Sequence, residues 1–272
     1  MMAASHPSVY AADHSAPVLR THSWRTAANS CAYLVPHVRP AMKILDVGCG
    51  PGSITLDLAR LVPDGHVTGL ENVPEPLDAA RALATQQAVS NVTFSMGDIH
   101  ALPFDNDSFD VVHAHQVLQH VADPVAALCE MRRVARSDGG IVACRESAAM
   151  TWFPASEPLE AWRRLTMAIA AGKGGNPHPG ARIHVWAQQA GFSRDSIVKS
   201  TDSWCFSSDA ERQYWGGSMA QRARASRFVN MALDDGYSTP HELDHIAAGW
   251  DAFCQDADAW FGLLHGQILC RK

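Results

Sequence analysis

Between residues 43 and 147, short apolar runs alternate with amphipathic stretches at a near-constant spacing, and this alternation leaves few folds open. Lys43-Ile44-Leu45-Asp46-Val47-Gly48 is apolar and partly β-branched and ends on glycine, which predicts a buried strand. Ile54, Leu58 and Leu61 then fall at helical spacing, and Pro63-Asp64-Gly65 marks a turn before a second strand, His66 to Glu71. Residues 74–88 read as a helix with proline near its start, where a missing N–H costs nothing. Further strands are expected at 92–97, 109–114 and 141–145, the last preceded by a helix over 124–136 with Asp123 at its N-cap and Pro124 at its first position. Parallel strands need crossovers of this kind, so the pattern predicts an α/β fold with helices on both faces of a mostly parallel sheet.

The regularity stops after Ser147. Residues 148–180, with Trp152, Phe153, Trp162 and a glycine- and proline-rich loop over 172–180, read as an insertion over the carboxyl edge of the sheet. Helices are expected at 183–190, 209–233 and 239–258, and strands at 196–206 and 263–270. Trp24, Ala28, Cys31 and Val35 share a helical face near the N-terminus. The implied division is an N-terminal helical cap over 1–40, a ligand-binding core over 41–147, and over 148–272 helical covering elements plus the last strands. A chain of 272 residues, 47% hydrophobic, can supply one large core and a small cover.

Charge narrows the partners. The formal net charge is −6, whereas a nucleic-acid binder needs a basic face. The two basic clusters, around Arg132-Arg133-Arg136 and Arg222-Arg224-Arg227, are helix-spaced and read first as solvated faces, with anion contacts as the alternative. No apolar run approaches the roughly 18 residues of a membrane helix, and the first residues lack the apolar segment of a secretory signal. Seven scattered cysteines without a Cys-x-x-Cys pair point to reduced thiols and a cytoplasmic setting. Nothing in the sequence fixes an oligomeric state.

Three positions carry chemistry. Asp46-Val47-Gly48-Cys49-Gly50-Pro51-Gly52 stands at the first strand-to-helix turn, where Gly48, Gly50 and Gly52 let backbone approach a ligand at a helix N-terminus. Its third glycine comes one residue earlier than in the dinucleotide fingerprint, which suits an aminoacyl group better than a pyrophosphate. Glu71 ends the second strand, where an acid can accept two ribose hydroxyls. Gly97-Asp98-Ile99 ends the third, with a carboxylate for an adenine amino group and Ile99 for the ring.

Together with Leu102-Pro103-Phe104, Phe109-Asp110-Val111-Val112 and Gly139-Gly140, these segments resemble class I methyltransferases that use S-adenosylmethionine (SAM), and most closely the ubiquinone/menaquinone-biosynthesis subgroup. The resemblance implies a Rossmann-like seven-stranded sheet, mostly parallel with its last strand antiparallel, and SAM as cofactor. It implies that Gly48, Gly50 and Gly52 cradle the methionine part, that Asp46 orients the loop or takes the amino group, and that Glu71, with Asn72 beside it, holds the ribose. Asp98 and Ile99 would hold adenine, His115 and Gln116 would lie beside the sulfonium, and Tyr10 would close the site. The second-strand acid is Glu71 where many relatives carry aspartate, a mild departure. His22-Ser23-Trp24-Arg25-Thr26-Ala27 and the run from His113 to His120 are similar to microbial secondary-metabolism methyltransferases, including the fungal gliotoxin bis-thiomethyltransferases. That similarity implies a small-molecule acceptor and, most specifically, S-methylation of a dithiol such as reduced gliotoxin; oxygen, nitrogen and carbon acceptors stay open. A nicotinamide-dependent oxidoreductase and a non-catalytic scaffold are the rival readings of the glycine turn.

Methyl transfer is an in-line displacement that needs alignment, and a hydroxyl or thiol acceptor must also lose a proton. His115 and His120 are the candidate bases, against the plainer reading that the histidines here only hydrogen-bond around a helix start. His241-Glu242-Leu243-Asp244-His245 matches a zinc-protease pattern, but Thr239, Pro240 and Glu242 form a helix capping box, which gives the glutamate a structural task; no metal is expected. Trp152, Trp162, Trp204 and Trp215 are candidates for the walls of an acceptor pocket.

Overall fold

The computed structural model of the chain describes residues 24–272. Seven strands form one sheet: β1 (Lys43–Val47), β2 (His66–Glu71), β3 (Val92–Met96), β4 (Val111–His115), β5 (Ile141–Phe153), β6 (Ile197–Phe206) and β7 (Trp260–Arg271). Their order is β3-β2-β1-β4-β5-β7-β6, parallel from β3 through β5, with β7 antiparallel to both of its neighbours. The strand order reverses between β1 and β4, and in open α/β sheets the crevice outside the carboxyl ends at such a point is where ligands bind.

Nine α-helices flank the sheet among the described residues: α1 (Ala27–Ser30), α2 (Ser53–Leu61), α3 (Glu75–Gln86), α4 (Pro124–Val134), α5 (Glu157–Gly172), α6 (Ile183–Gln189), α7 (Asp209–Arg224), α8 (Arg227–Asp234) and α9 (Pro240–Gln255). Alternation along the strands divides the core, because successive side chains leave opposite faces. Ile44, Val111 and Ile141 pack with Ile54 and Leu58 of α2 on one face, and Leu45, Val112 and Val142 pack with Leu128, Met131 and Trp186 of α4 and α6 on the other. A third cluster, with Trp162, Phe206, Trp250 and Phe261, joins α5 and α7–α9 to the outer ends of β6 and β7. No helix among the described residues is long and apolar enough to cross a membrane.

Four features differ from the sequence reading. The strand expected at 141–145 continues to Phe153, because β7 is itself twelve residues long and pairs with it throughout, across a bulge between Ser147 and Ala149. The insertion over the carboxyl edge therefore begins only after that strand. The helix expected over 209–233 is two helices, since Ser226 caps α8 with its side chain. The N-terminal helical stripe shrinks to α1, followed by a 3₁₀ turn at Val35–His37. Pro36 lacks the N–H that a continuing helix needs and disfavours helical geometry at Val35. Ala28 is consequently exposed while Cys31 and Leu34 are buried.

Candidate functional site

Gly48, Gly50 and Gly52 all take positive φ, at +66°, +53° and +82°. The loop is anchored from behind: the N–H groups of Gly48 and Cys49 both donate to the Leu70 carbonyl at the end of β2, at 2.7 and 3.0 Å. A side chain on Gly48 would meet Val117 at 2.5 Å, whereas one on Gly50 would meet nothing within 4 Å among the described residues. The turn is thus packed on one side and open at Gly50. Glu71 reaches that opening: Oε2 accepts from the Gly50 N–H at 3.1 Å and Oε1 from the Asn72 N–H at 2.8 Å. At the next strand end the Asp98 carboxylate is 41% exposed and pairs with the Nδ1 of His100 at 2.9 Å. Ile99 is buried and packs with Leu70 and Leu102, so most of its side chain belongs to the core. Asn72 is exposed beside Glu71, and Tyr10 lies outside the described residues.

Asp46 is engaged inside the protein. One oxygen accepts from the Thr55 hydroxyl at 2.6 Å and the other pairs with His113 Nδ1 at 2.7 Å, while His113 Nε2 stands 3.2 Å from Cys31 Sγ. Burial opposes a charge on His113, but the Cys31 sulfur and the Asp46 carboxylate outweigh it and hold its pKa up to about 10. This Cys-His-Asp line looks like nucleophile chemistry, yet Cys31 and His113 are fully buried. It ties α1, β4 and the base of the glycine loop together.

Gln116, directly after β4, takes a positive φ of +54°, uncommon for a side-chain-bearing residue and concentrated at functional sites. Its amide bridges two distant parts of the chain: Oε1 accepts from Arg25 at 2.7 Å and Nε2 lies 2.9 Å from His265 Nε2. His115 lies in a buried nest with Trp204 at 5.6 Å and His265 at 6.2 Å between ring centres; neither of its ring nitrogens has a hydrogen-bond partner among the described residues. Burial, then Arg25 and Arg145, push its pKa well down. Arg145 is fully buried, lies 4.8 Å over the Trp204 ring and faces Asp202 at 3.6 Å.

Behind Gln116 opens a cavity of about 180 Å³. Its floor is the turn after β4, with Gln116 and His120, and its walls come from Met150 of β5, Trp162 and Thr166 of α5, Trp215 and Arg222 of α7 and Phe228 of α8. Trp162 and Trp215 are therefore wall residues. Trp152 instead stacks on Phe261 at 6.1 Å, and Trp204 lies under Arg145. Burial first, then Arg25 and Arg222, push the His120 pKa down to about 3, so its imidazole is neutral at physiological pH. His115 is not on the cavity wall. Glu146 caps the turn from β5, accepting from the N–H groups of Val117 and Leu118 at 2.8 and 2.6 Å, and burial pushes its pKa up to about 8.

The sequence reading assigned no role to Arg25, Glu146 or His265: β5–β7 pairing brings Glu146 and His265 together, and Arg25, ahead of α1, joins His265 through Gln116. Arg222 belongs by sequence to a basic cluster, whose neighbour Arg224 does point outward, to Asp251. The zinc-protease look-alike is a capping box: Thr239 Oγ1 accepts from the Glu242 N–H at 3.2 Å, and Glu242 accepts from the Thr239 N–H at 2.8 Å. His245 pairs with Glu157 of α5 at 2.9 Å.

The sequence model of a family described as a methyltransferase domain matches residues 39–199. An uncharacterized methyltransferase of Schizosaccharomyces pombe is 35% identical over 265 residues, covering 94% of this chain and 93% of its own. A demethylmenaquinone methyltransferase of Roseiflexus castenholzii is 40% identical over 46% of this chain and 49% of its own. Among solved structures, phosphoethanolamine N-methyltransferase 2 of Haemonchus contortus, in complex with phosphomonomethylethanolamine and S-adenosylhomocysteine, shares the fold with a TM-score of 0.52 at 15% identity, over 86% of this chain and 51% of that one.

Proposed function

The chain belongs to the methyltransferase-domain family and is a SAM-dependent methyltransferase, and from that premise we propose that it methylates a small organic acceptor held in the cavity behind Gln116. One observation carries the reading. Val117 packs on the glycine loop at Gly48, and its chain neighbour Gln116 lines the cavity, so cofactor crevice and cavity share one wall.

The residues present fit the cofactor. Among the described residues no side chain enters the space beside Gly50, a carboxylate from Glu71 borders it, and the Asp98 carboxylate is exposed at the adjacent strand end. In this reading Gly48, Gly50 and Gly52 receive the methionine part, Glu71 and Asn72 the ribose, and Asp98 with Ile99 the adenine. Asp46 positions the loop, since both of its oxygens are already engaged. Bound SAM supplies a methyl group made electrophilic by its sulfonium. The protein's own work is alignment: Gln116, held between Arg25 and His265, fixes the wall between the two compartments, and the helices of 148–272 exclude water.

Proton removal narrows the acceptor atom. His120 is the candidate base on the wall, and a pKa near 3 makes it a feeble one, far from the operating pH at which general bases are most effective. An acceptor that ionises by itself near neutrality needs least from it, which favours a thiol or an acidic phenol over an aliphatic alcohol. S-methylation of a dithiol in secondary metabolism, the activity suggested by the similarity of the flanks, satisfies that condition. The seven free thiols accord with a cytoplasmic setting.

Calorimetry tests the cofactor half. Wild type binds SAM, and Glu71→Ala binds at least tenfold more weakly with an unchanged melting temperature; folded wild type that gives no heat with SAM would overturn the assignment. A methyl-transfer assay over dithiols, phenols, aliphatic alcohols and amines tests the other half. Turnover confined to amines or aliphatic alcohols would count against a self-ionising acceptor.

A further inference from the structure

The loop between α5 and α6 holds a histidine in an unusual position. His178 takes a φ of +57°, uncommon for a residue with a side chain, and it precedes Pro179, a setting that favours extended backbone instead. It stands at the N-cap of the 3₁₀ turn Pro179–Ala181, yet its side chain makes no capping hydrogen bond. The backbone on either side is pinned. Asn176 donates from its N–H to the Gln119 carbonyl at 3.0 Å and from Nδ2 to the Val121 carbonyl at 3.1 Å, which ties the loop to the turn after β4. Gly180 lies against the backbone of β5, where a Cβ would stand 2.3 Å from the Glu146 carbonyl oxygen. Its neighbours thus hold His178 in a costly conformation, and residues held in this way cluster at functional sites.

His178 borders both the cavity of about 180 Å³ behind Gln116 and an open groove of about 730 Å³ along residues 148–163. Thr166 Oγ1, His178 Nδ1 and Trp215 Nε1, on three residues of the cavity wall, are buried without a hydrogen-bond partner among the described residues. Of these atoms only the imidazole nitrogen takes up a proton near neutral pH. Burial first, then Arg163 of α5, lower the His178 pKa, against a rise from the Ala148 backbone, so the ring is neutral at pH 7.5. Arg163 is itself paired with Glu160, from Nε at 3.0 Å. His120, also on the cavity wall, has its Nε2 engaged 3.0 Å from Gln119 Nε2, and a pKa near 3 makes it a poor base.

We propose that His178 Nδ1 is the base that deprotonates the methyl acceptor, which rests on the reading above that the acceptor occupies the cavity behind Gln116. In this step the S–H or O–H bond of the acceptor breaks, its electron pair stays on the sulfur or oxygen that receives the methyl group, and the proton forms an N–H bond at Nδ1. The imidazolium then gives that proton to water in the groove, which His178 also borders. Arg163 disfavours the charged ring and so favours this release. A thiol or an acidic phenol suits such a base, because its proton is held less tightly than that of an aliphatic alcohol.

Two measurements on the full chain test this. With histidine labelled by nitrogen-15, long-range proton–nitrogen NMR at pH 7.5 and without added cofactor should show His178 Nδ1 as the unprotonated ring nitrogen, its resonance identified by its loss in His178→Asn. A protonated Nδ1 would overturn the proposal. The second measurement compares methylation of thiophenol, mostly ionised at that pH before it binds, with that of benzyl mercaptan, mostly protonated. Both are single rings, and the cavity is slightly larger than the roughly 150 Å³ that accommodates benzene. His178→Gly and His178→Asn suit a positive φ and should keep the melting temperature and the affinity for SAM. Both should lower kcat for benzyl mercaptan about a hundredfold, the low end for a general base, and for thiophenol less than about threefold. Imidazole added to the medium should restore turnover of benzyl mercaptan by His178→Gly. Equal losses on the two thiols, or none, would overturn the proposal. Ala170→Phe, which fills the cavity, tests the reading beneath it. Turnover that survives Ala170→Phe refutes the cavity, whereas turnover abolished by it but indifferent to the His178 variants refutes only the base.

Discussion

Asp46 and Glu71 are both strand-end acids beside the same glycine turn, yet their surroundings assign them opposite consequences. Asp46 is 3% exposed and spends both oxygens on Thr55 and His113. Asp46→Ala would leave the His113 imidazolium buried without its carboxylate, and breaking a buried charge pair in this way costs roughly 3–5 kcal/mol. Urea denaturation should show that loss, with Asp46→Asn falling between the two, because it keeps the hydrogen-bond shape without the charge. A midpoint within error of wild type for Asp46→Ala would sink this account. Glu71→Ala, by contrast, changes binding rather than stability, because Glu71 stands at the mouth of the crevice and is half-buried. Sequence spacing located both acids but could not separate their roles. That separation depends on Thr55 and His113, one a turn into the following helix and the other on β4, whose approach to Asp46 is created by the fold. Arg222 teaches the same lesson: helix spacing placed it with Arg224 on a solvated face, while the docking of α7 turns one toward the cavity and the other toward Asp251.

At the scale of elements, the far half of the sheet is held by a contact between two glycines. The 3₁₀ turn Pro179–Ala181 lies directly on the β5–β7 pair: a Cβ on Gly180 would stand 2.3 Å from the Glu146 carbonyl oxygen, and one on Gly266 would stand 1.9 Å from the Gly180 carbonyl oxygen. These neighbours are backbone atoms that cannot swing aside, so Gly180→Ala or Gly266→Ala forces the turn off the strands at a cost of about 3 kcal/mol or more. Both variants should lose several degrees in melting temperature and show faster amide exchange in β7; a stable Gly266→Ala protein would contradict this packing. The same contact explains where legibility in the sequence ended. Strands β1 to β4 and their helices could be read because each is a local apolar run closed by a turn. The length of β5 could not, because residues 148–153 are strand only by virtue of β7, more than a hundred residues away in the chain. The cover was harder still: α5 and α7–α9 are individually recognisable helices, but the cavity between them exists only once they pack.

For the molecule as a whole, the buried ionisable groups around the site set a stability profile with a maximum near pH 6.5. Burial, helped by neighbouring arginines, lowers His120 to about 3 and His265 to about 2, so both are neutral in the folded protein while the unfolded chain protonates them near 6.5. Their stabilisation is complete above pH 6.5 and is lost as pH falls toward those folded values. Glu146 and His113 act in the opposite sense. Burial raises Glu146 to about 8, and the Cys31 sulfur and Asp46 carboxylate, against burial, raise His113 to about 10. Each therefore holds a proton in the folded state that the unfolded chain has released. The Glu146 contribution is complete below about pH 4.5 and lost by pH 8; that of His113 is complete below 6.5 and lost by pH 10. Between pH 4.5 and 6.5 the unfolded chain binds three protons through His115, His120 and His265, all held down by burial in the folded protein, against one held by Glu146 in the folded state, so stability falls on acidification. Above 6.5 only the folded state holds extra protons, so stability falls toward alkali. The slope on either limb is about 1.4 kcal/mol per pH unit for each net proton. Denaturant midpoints measured from pH 5 to 9 should trace this peak. His120→Gln should flatten the acid limb, and Glu146→Gln, which can still accept from the Val117 and Leu118 N–H groups, should flatten the alkaline limb between pH 6.5 and 8. A profile that is level across this range in wild type would mean that these groups are hydrated in the folded protein, and would contradict the burial that keeps His120 neutral.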